Sequence, residues 1–177
     1  MIFFPSTKVF GGEGFSGSFA PSEWESSGSY YEQISGDGSV DSSNAPTSVT
    51  ITGPNTKYKE QWWRITTPTA GTYSYDWSFT GTSSSHYDIP WKAIGGSGGW
   101  MSGFSRGGSL TQTGSFSNYY GANVNLAFGI RTENGGQGGD RATLTISNFV
   151  YPDPPDTGDA TYSITGQTYA GKTLTAG

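Results

Sequence analysis

Gly71-Thr72-Tyr73-Ser74-Tyr75-Asp76-Trp77-Ser78-Phe79-Thr80-Gly81 is the stretch that decides the fold. Four aromatic rings alternate with small polar residues, the period-2 pattern of a strand with one buried and one wet face. Glycine closes the run at both ends. The same alternation returns in Ala122–Thr132, with Val124, Leu126, Phe128 and Ile130 on the inner side, and in Ser48–Gly53, with Val49 and Ile51. Arg141–Val150 shows Leu144 and Ile146 and then Phe149, so its phase slips by one at Asn148, the signature of a bulge. Strands are also expected over Gly14–Ala20, Gly28–Ile34 and Gln61–Thr67, while Gly95–Gly108 reads as a long loop or a loose edge hairpin.

About nine short strands separated by turn signals, with no stretch resembling a helix of three turns, predict an all-β chain of two packed antiparallel sheets. A jelly-roll-like β-sandwich is the first expectation and an immunoglobulin-like sandwich the second. The composition agrees. Only 13% of the 177 residues are charged, 15% are aromatic, and there are 28 glycines and no cysteine. A disordered chain would be poor in rings and rich in charge. Here Tyr, Trp and Phe supply the burial that Leu and Ile supply elsewhere. The absence of Cys excludes disulfide frameworks and thiolate metal sites.

The formal net charge of −5 argues against nucleic acid as a partner. No apolar run approaches the length that spans a bilayer, so membrane insertion is not expected. Met1-Ile2-Phe3-Phe4 is apolar, but Pro5 and Lys8 end it far short of a signal-peptide core. An extracellular type of composition without a visible secretion signal leaves three readings. They are a virion protein assembled in a host cytoplasm, a protein exported by a C-terminal signal, or a trimmed chain with an added Met.

Four regions are expected: an N-terminal anchor at 1–12, a β-sandwich domain at 13–151, a Pro/Asp linker at 152–159, and at 160–177 either the start of an immunoglobulin-like repeat or a docking arm. The linker reading rests on Pro152, Pro154 and Pro155, which cannot donate to a ladder. In the anchor, Ile2, Phe3 and Phe4 would be covered by a partner, since left free they form a contiguous apolar patch.

Five phrases carry a resemblance to a known kind of module: Gly14–Trp24, Asp37–Asp41, Asn44–Gly53, Gly71–Trp77 and Ala142–Phe149. In order and content they resemble a β-sandwich module recurrent in surface proteins of marine bacteria and cyanobacteria, and in structural proteins of the phages that infect them. The likeness covers roughly residues 10–150. Ala160–Ala176 resembles the opening of a bacterial immunoglobulin-like repeat. The resemblance implies adhesion or architecture and brings no catalytic residues. The chain departs from the pattern at Tyr87-Asp88-Ile89-Pro90-Trp91, where members often carry a Phe-Asp-Pro-like phrase.

Catalysis finds little to build on. His86 is the one histidine and follows Ser83-Ser84-Ser85, with no Gly-x-Ser-x-Gly elbow to present a nucleophile. Glycoside hydrolysis needs two carboxylates set across a cleft. Glu13, Glu23, Glu25, Glu32, Asp76, Asp88 and Glu133 are available, but no motif pairs them. A non-enzymatic chain is expected. No cofactor is expected either; the one candidate is a structural calcium held by Asp37, Asp41 or Asp140 with loop carbonyls, and Asx turns explain those residues as well.

Glycan binding is the ligand activity that the aromatic content favours, because flat rings stack on pyranose faces while Asn, Gln and Arg supply directed hydrogen bonds. Trp62 and Trp63 are adjacent, as are Tyr119 and Tyr120, so in each pair strand geometry sends one ring outward. The candidate set is Trp63, Trp91, Trp100, Tyr120, Arg131 and Asn134. Completion of the core or a protein–protein contact is the competing use of these rings. The leading expectation is a structural component of a bacteriophage virion, a capsid decoration or a fibre-base adhesion module. It would sit on the virion surface, oligomeric in the assembly, with coat or tail proteins as partners and a host-surface glycan as a further one. The alternative is a carbohydrate-binding or adhesin module of a secreted protein on the bacterial cell surface.

Overall fold

The computed structural model describes residues 12–27, 37–56, 58–82, 87–95, 97–133 and 141–153. Among them are two short 3-10 turns, Gly17–Phe19 and Pro21–Glu23, and ten strands. The strands are β1 (Glu25–Ser27), β2 (Ser39–Asp41), β3 (Ser48–Thr52), β4 (Lys59–Thr66), β5 (Gly71–Thr80), β6 (Asp88–Ile94), β7 (Ser97–Trp100), β8 (Thr111–Tyr120), β9 (Asn125–Thr132) and β10 (Thr143–Val150).

They form two five-stranded antiparallel sheets, β2-β3-β10-β5-β8 and β1-β4-β9-β6-β7. From β3 to β6 each successive strand crosses to the other sheet, and the chain crosses again at every step from β7 to β10. Setting β1 and β2 aside, this is the double Greek key of a jelly roll. It is the first of the two architectures expected, and it distinguishes the chain from an immunoglobulin-like sandwich.

The rings of β5 lie where the alternation puts them. Tyr73, Tyr75, Trp77 and Phe79 are buried beside Val49 and Ile51 of β3 and Leu144, Ile146 and Phe149 of β10. Trp63 and Ile65 of β4 and Leu126, Phe128 and Ile130 of β9 close on them from the other sheet. Burying a side chain of this size contributes about 1.5–3 kcal/mol. The slip at Asn148 is a bulge: the β10–β5 register shifts between Ser147 and Val150, Asn148 takes φ 48°, and Phe149 turns into the core.

Gly14–Ala20 is not the strand expected from sequence. Gly14 and Gly17 adopt φ of 71° and 55°, a left-handed backbone that a strand cannot carry, and Pro21 opens the second 3-10 turn. The coiled segment still delivers its rings. Phe15 stacks on Phe149 at 5.1 Å, and Trp24 stacks on Trp63 at 4.0 Å. Gly28–Ile34 lies outside the described residues, as do Ile2, Phe3, Phe4, His86, Asp140 and everything beyond Asp153. Within Gly95–Gly108 each expected form is present in part: β7 pairs with β6 at the sheet edge, and the chain then loops from Met101 to β8.

The outer face of the β2-β3-β10-β5-β8 sheet is clad in hydroxyls. Register aligns Ser39, Thr52, Thr143, Thr80 and Thr111 in one row, and Thr50, Thr145, Ser78 and Thr113 in the next. Asp76 stands among them and accepts from Ser115 Oγ at 2.6 Å and from Asn148 Nδ2 at 2.7 Å. Those two bonds, Ser115 first, hold its carboxyl below the usual carboxylate range. Its alternation out of the aromatic strand therefore serves a solvent-face hydrogen-bond network.

Candidate glycan-binding face

The outer face of the other sheet is different. Adjacent strands align Trp62 of β4, Gly129 of β9, Trp91 of β6 and Trp100 of β7 in one cross-strand row. Residues opposite one another in a sheet share a face, so three of the six tryptophans project from the same side. Trp62 is the foundation of the row. It is fully buried, packs with Ala93, Ala127 and Trp91, and donates from Nε1 to Glu60 Oε2 at 2.7 Å. Its ring lies over Gly129, where an added Cβ would come within 2.7 Å of it. Trp91 is half-buried, and its indole N–H is sheltered without an acceptor. Trp100 is 43% exposed and meets Phe104 edge-on at 6.0 Å.

Polar groups border this row on both sides. Arg131 of β9 reaches to 3.9 Å from Glu60 Oε1. Two residues further along β4 from Trp62, Arg64 donates from Nε and Nη2 to Glu25 Oε2 at 3.0 and 2.8 Å. Beyond it opens a groove of about 540 Å3 lined by Ser18, Glu23, Glu25, Arg64, Thr66 and Asn125. A flat ring beside hydrogen-bonding pairs is an arrangement that can hold a sugar by its apolar face and its hydroxyl edge together.

Of the residues singled out from sequence, Trp91, Trp100 and Arg131 come together here. Trp63 does not: it is 3% exposed, in the core against Trp24, and the outward member of its pair is Trp62. Strand parity required that one of the two face out, but which one depends on the pairing of β4 with β9. Tyr120 is likewise an inward residue, packed on Tyr73 and Phe116, while Tyr119 is the exposed member of that pair. Asn134 lies outside the described residues. Glu60 and Arg64 went unnoticed in the sequence, though the i, i+2, i+4 spacing of Glu60, Trp62 and Arg64 already places them on one strand face.

The acids are dispersed. Asp88 is buried and accepts from Thr82 and Thr132 at 2.7 and 2.9 Å. Glu133 pairs with Arg106, and Glu13 sits at a bridge to Val150. Glu23 and Glu25 share the groove, where Glu25 is held by Arg64 and Glu23 accepts from Ser22. Asp37 accepts from the Asn55 amide and pairs with Arg141, and Asp41 accepts from the Ser43 amide two residues on, an Asx turn. Among the described residues no three potential metal ligands converge.

No family model matches the chain, and no curated protein matches it. Among solved structures it is similar to TmCBM61, determined in complex with β-1,4-galactotriose, at 17% identity and a TM-score of 0.38 over 79% of this chain and 94% of that one.

Proposed function

We propose that this chain is a carbohydrate-binding module that holds a glycan on the outer face of the β1-β4-β9-β6-β7 sheet without cleaving it. The observation that carries the reading is the tryptophan row, with Trp91 and Trp100 presenting ring surface on β6 and β7 and the Glu60–Arg131 and Glu25–Arg64 pairs flanking Trp62 at its β4 end. An exposed Trp is expensive to leave in water and is the side chain that most often anchors a binding face. Glu25, Glu60 and Glu133 each serve an arginine, and Asp76 stands on the opposite sheet, so among the described residues no two carboxylates on this face are left as a free acid–base pair. The virion reading rests on composition, the missing secretion signal, the resemblance and the Pro-rich linker, and its anchor residues Ile2, Phe3 and Phe4 lie outside the described residues. The tryptophan face supports the adhesin or glycan-binding role instead.

The test is retention on a panel of soluble and insoluble polysaccharides. Trp100→Ala is expected to weaken retention about tenfold or more. Trp100 is 43% exposed and ends the edge strand β7, so the variant should remain folded, with unchanged far-ultraviolet dichroism and a melting temperature only a few degrees below the parent. If no glycan in the panel is retained by the parent, the proposal is wrong.

A further inference from the structure

We infer that the ligand of this face is a neutral glycan and that uronic and sulfated chains are excluded; the inference rests on the glycan-binding reading above. Recognition of a carboxylate or sulfate calls for an available cation, and Arg is preferred because its fork matches the anion bidentately. The sequence has four arginines, and each already has a carboxylate: Arg64 with Glu25, Arg106 with Glu133, Arg131 with Glu60, Arg141 with Asp37. The two on the tryptophan face are Arg64 and Arg131. Arg64 directs two donors to one Glu25 oxygen, and Glu60 is fixed in place by the Trp62 indole as well as by Arg131.

The described lysines do not replace them. Lys92 lies between Trp91 and Ala93 on β6 and therefore points to the other side of the sheet. Its ammonium sits 3.5 Å from the Phe116 ring centre and donates to Ser102 Oγ at 2.8 Å. Lys59 is an odd-numbered residue of β4, on the side of Trp63 rather than Trp62. Glu23 adds a further negative charge to the groove, and the chain as a whole carries −5. An anionic chain approaching this face meets acids and neutralised arginines. A sugar hydroxyl, which donates and accepts, suits both halves of an Arg–Glu pair.

Affinity electrophoresis of the full chain separates the outcomes. The neutral probes are galactan, xylan and β-glucan; the anionic ones are polygalacturonate and chondroitin sulfate. Retardation by a neutral polymer, unchanged by added salt, with none by the polyanions, is the expected result. Salt-sensitive retardation by a polyanion would overturn the inference while leaving glycan binding intact. Retardation by no polymer would overturn the glycan reading itself. Glu25→Gln supplies the converse test. Glu25 is exposed, so the fold should survive, and Arg64 is released; binding of polygalacturonate should then rise about tenfold. A folded Glu25→Gln protein, by near-ultraviolet dichroism, that gains no such binding would show that pairing of Arg64 is not what excludes anions.

Discussion

At Gly129 an added Cβ would stand 2.6 Å from the Gln61 carbonyl and 2.7 Å from the Trp62 ring. The bare backbone is what lets that ring lie flat across β9 and support Trp91 beside it. Gly129→Ala is expected to cost about 1–3 kcal/mol, read from urea denaturation, and to weaken glycan retention with it. Lys92 makes a pH-dependent contribution. Burial lowers its pKa from 10.5 to about 8. Between those values the unfolded chain binds the proton and the folded one does not, so stability rises with pH across that window. The urea midpoint should therefore climb from pH 8 towards pH 10, and Lys92→Met should flatten the climb. A parent profile that falls over that range would contradict the burial of this amine.

Among the elements, β10 shows how one residue resets a strand. Asn148 at φ 48° takes up the extra position, donates to Asp76, and lets Phe149 rejoin the core one residue before the strand ends. A β-branched residue resists that backbone. Asn148→Val should lose about 1–2 kcal/mol in chemical denaturation, and Asn148→Gly appreciably less. The slip was visible in the sequence because apolar residues flank it in opposite phase. Strands β6 and β8 were not visible, for definite reasons. In β6 the inward positions hold Asp88, Pro90, Lys92 and Ile94, so the apolar alternation of Ile89, Trp91 and Ala93 runs on the outer face, and Pro90 argues against a paired strand. In β8 the inward Gly114 leaves room for the Trp77 ring, which an added Cβ would approach to 2.7 Å, and Gln112 lies on the same side. The pattern there is complementary to another strand and has no periodic signal of its own.

On the scale of the whole molecule, β10 lies between β3 and β5, and its end meets Glu13 near the start of the sandwich. One sheet is thus completed only when β10 arrives. A chain ending before Thr143 is expected to lose cooperative unfolding altogether, with no sigmoidal transition by tryptophan fluorescence. The two outer faces also explain how so few charges suffice. One sheet is hydrated through rows of Ser and Thr hydroxyls, and the other gathers its arginines and glutamates into pairs around the tryptophans.

The sequence by itself determined the strand class, the inner rings of β5, β9 and β10, the bulge, and the requirement that one of each adjacent aromatic pair face outward. These are local properties, because side-chain alternation is a property of a single extended segment. Only the tertiary structure decided that Trp62 and not Trp63 faces out, that Trp62, Trp91 and Trp100 fall in one row, and that each arginine meets its acid. Those facts depend on the register between segments as far apart as β4 and β9. Register follows from how all the inner faces pack at once.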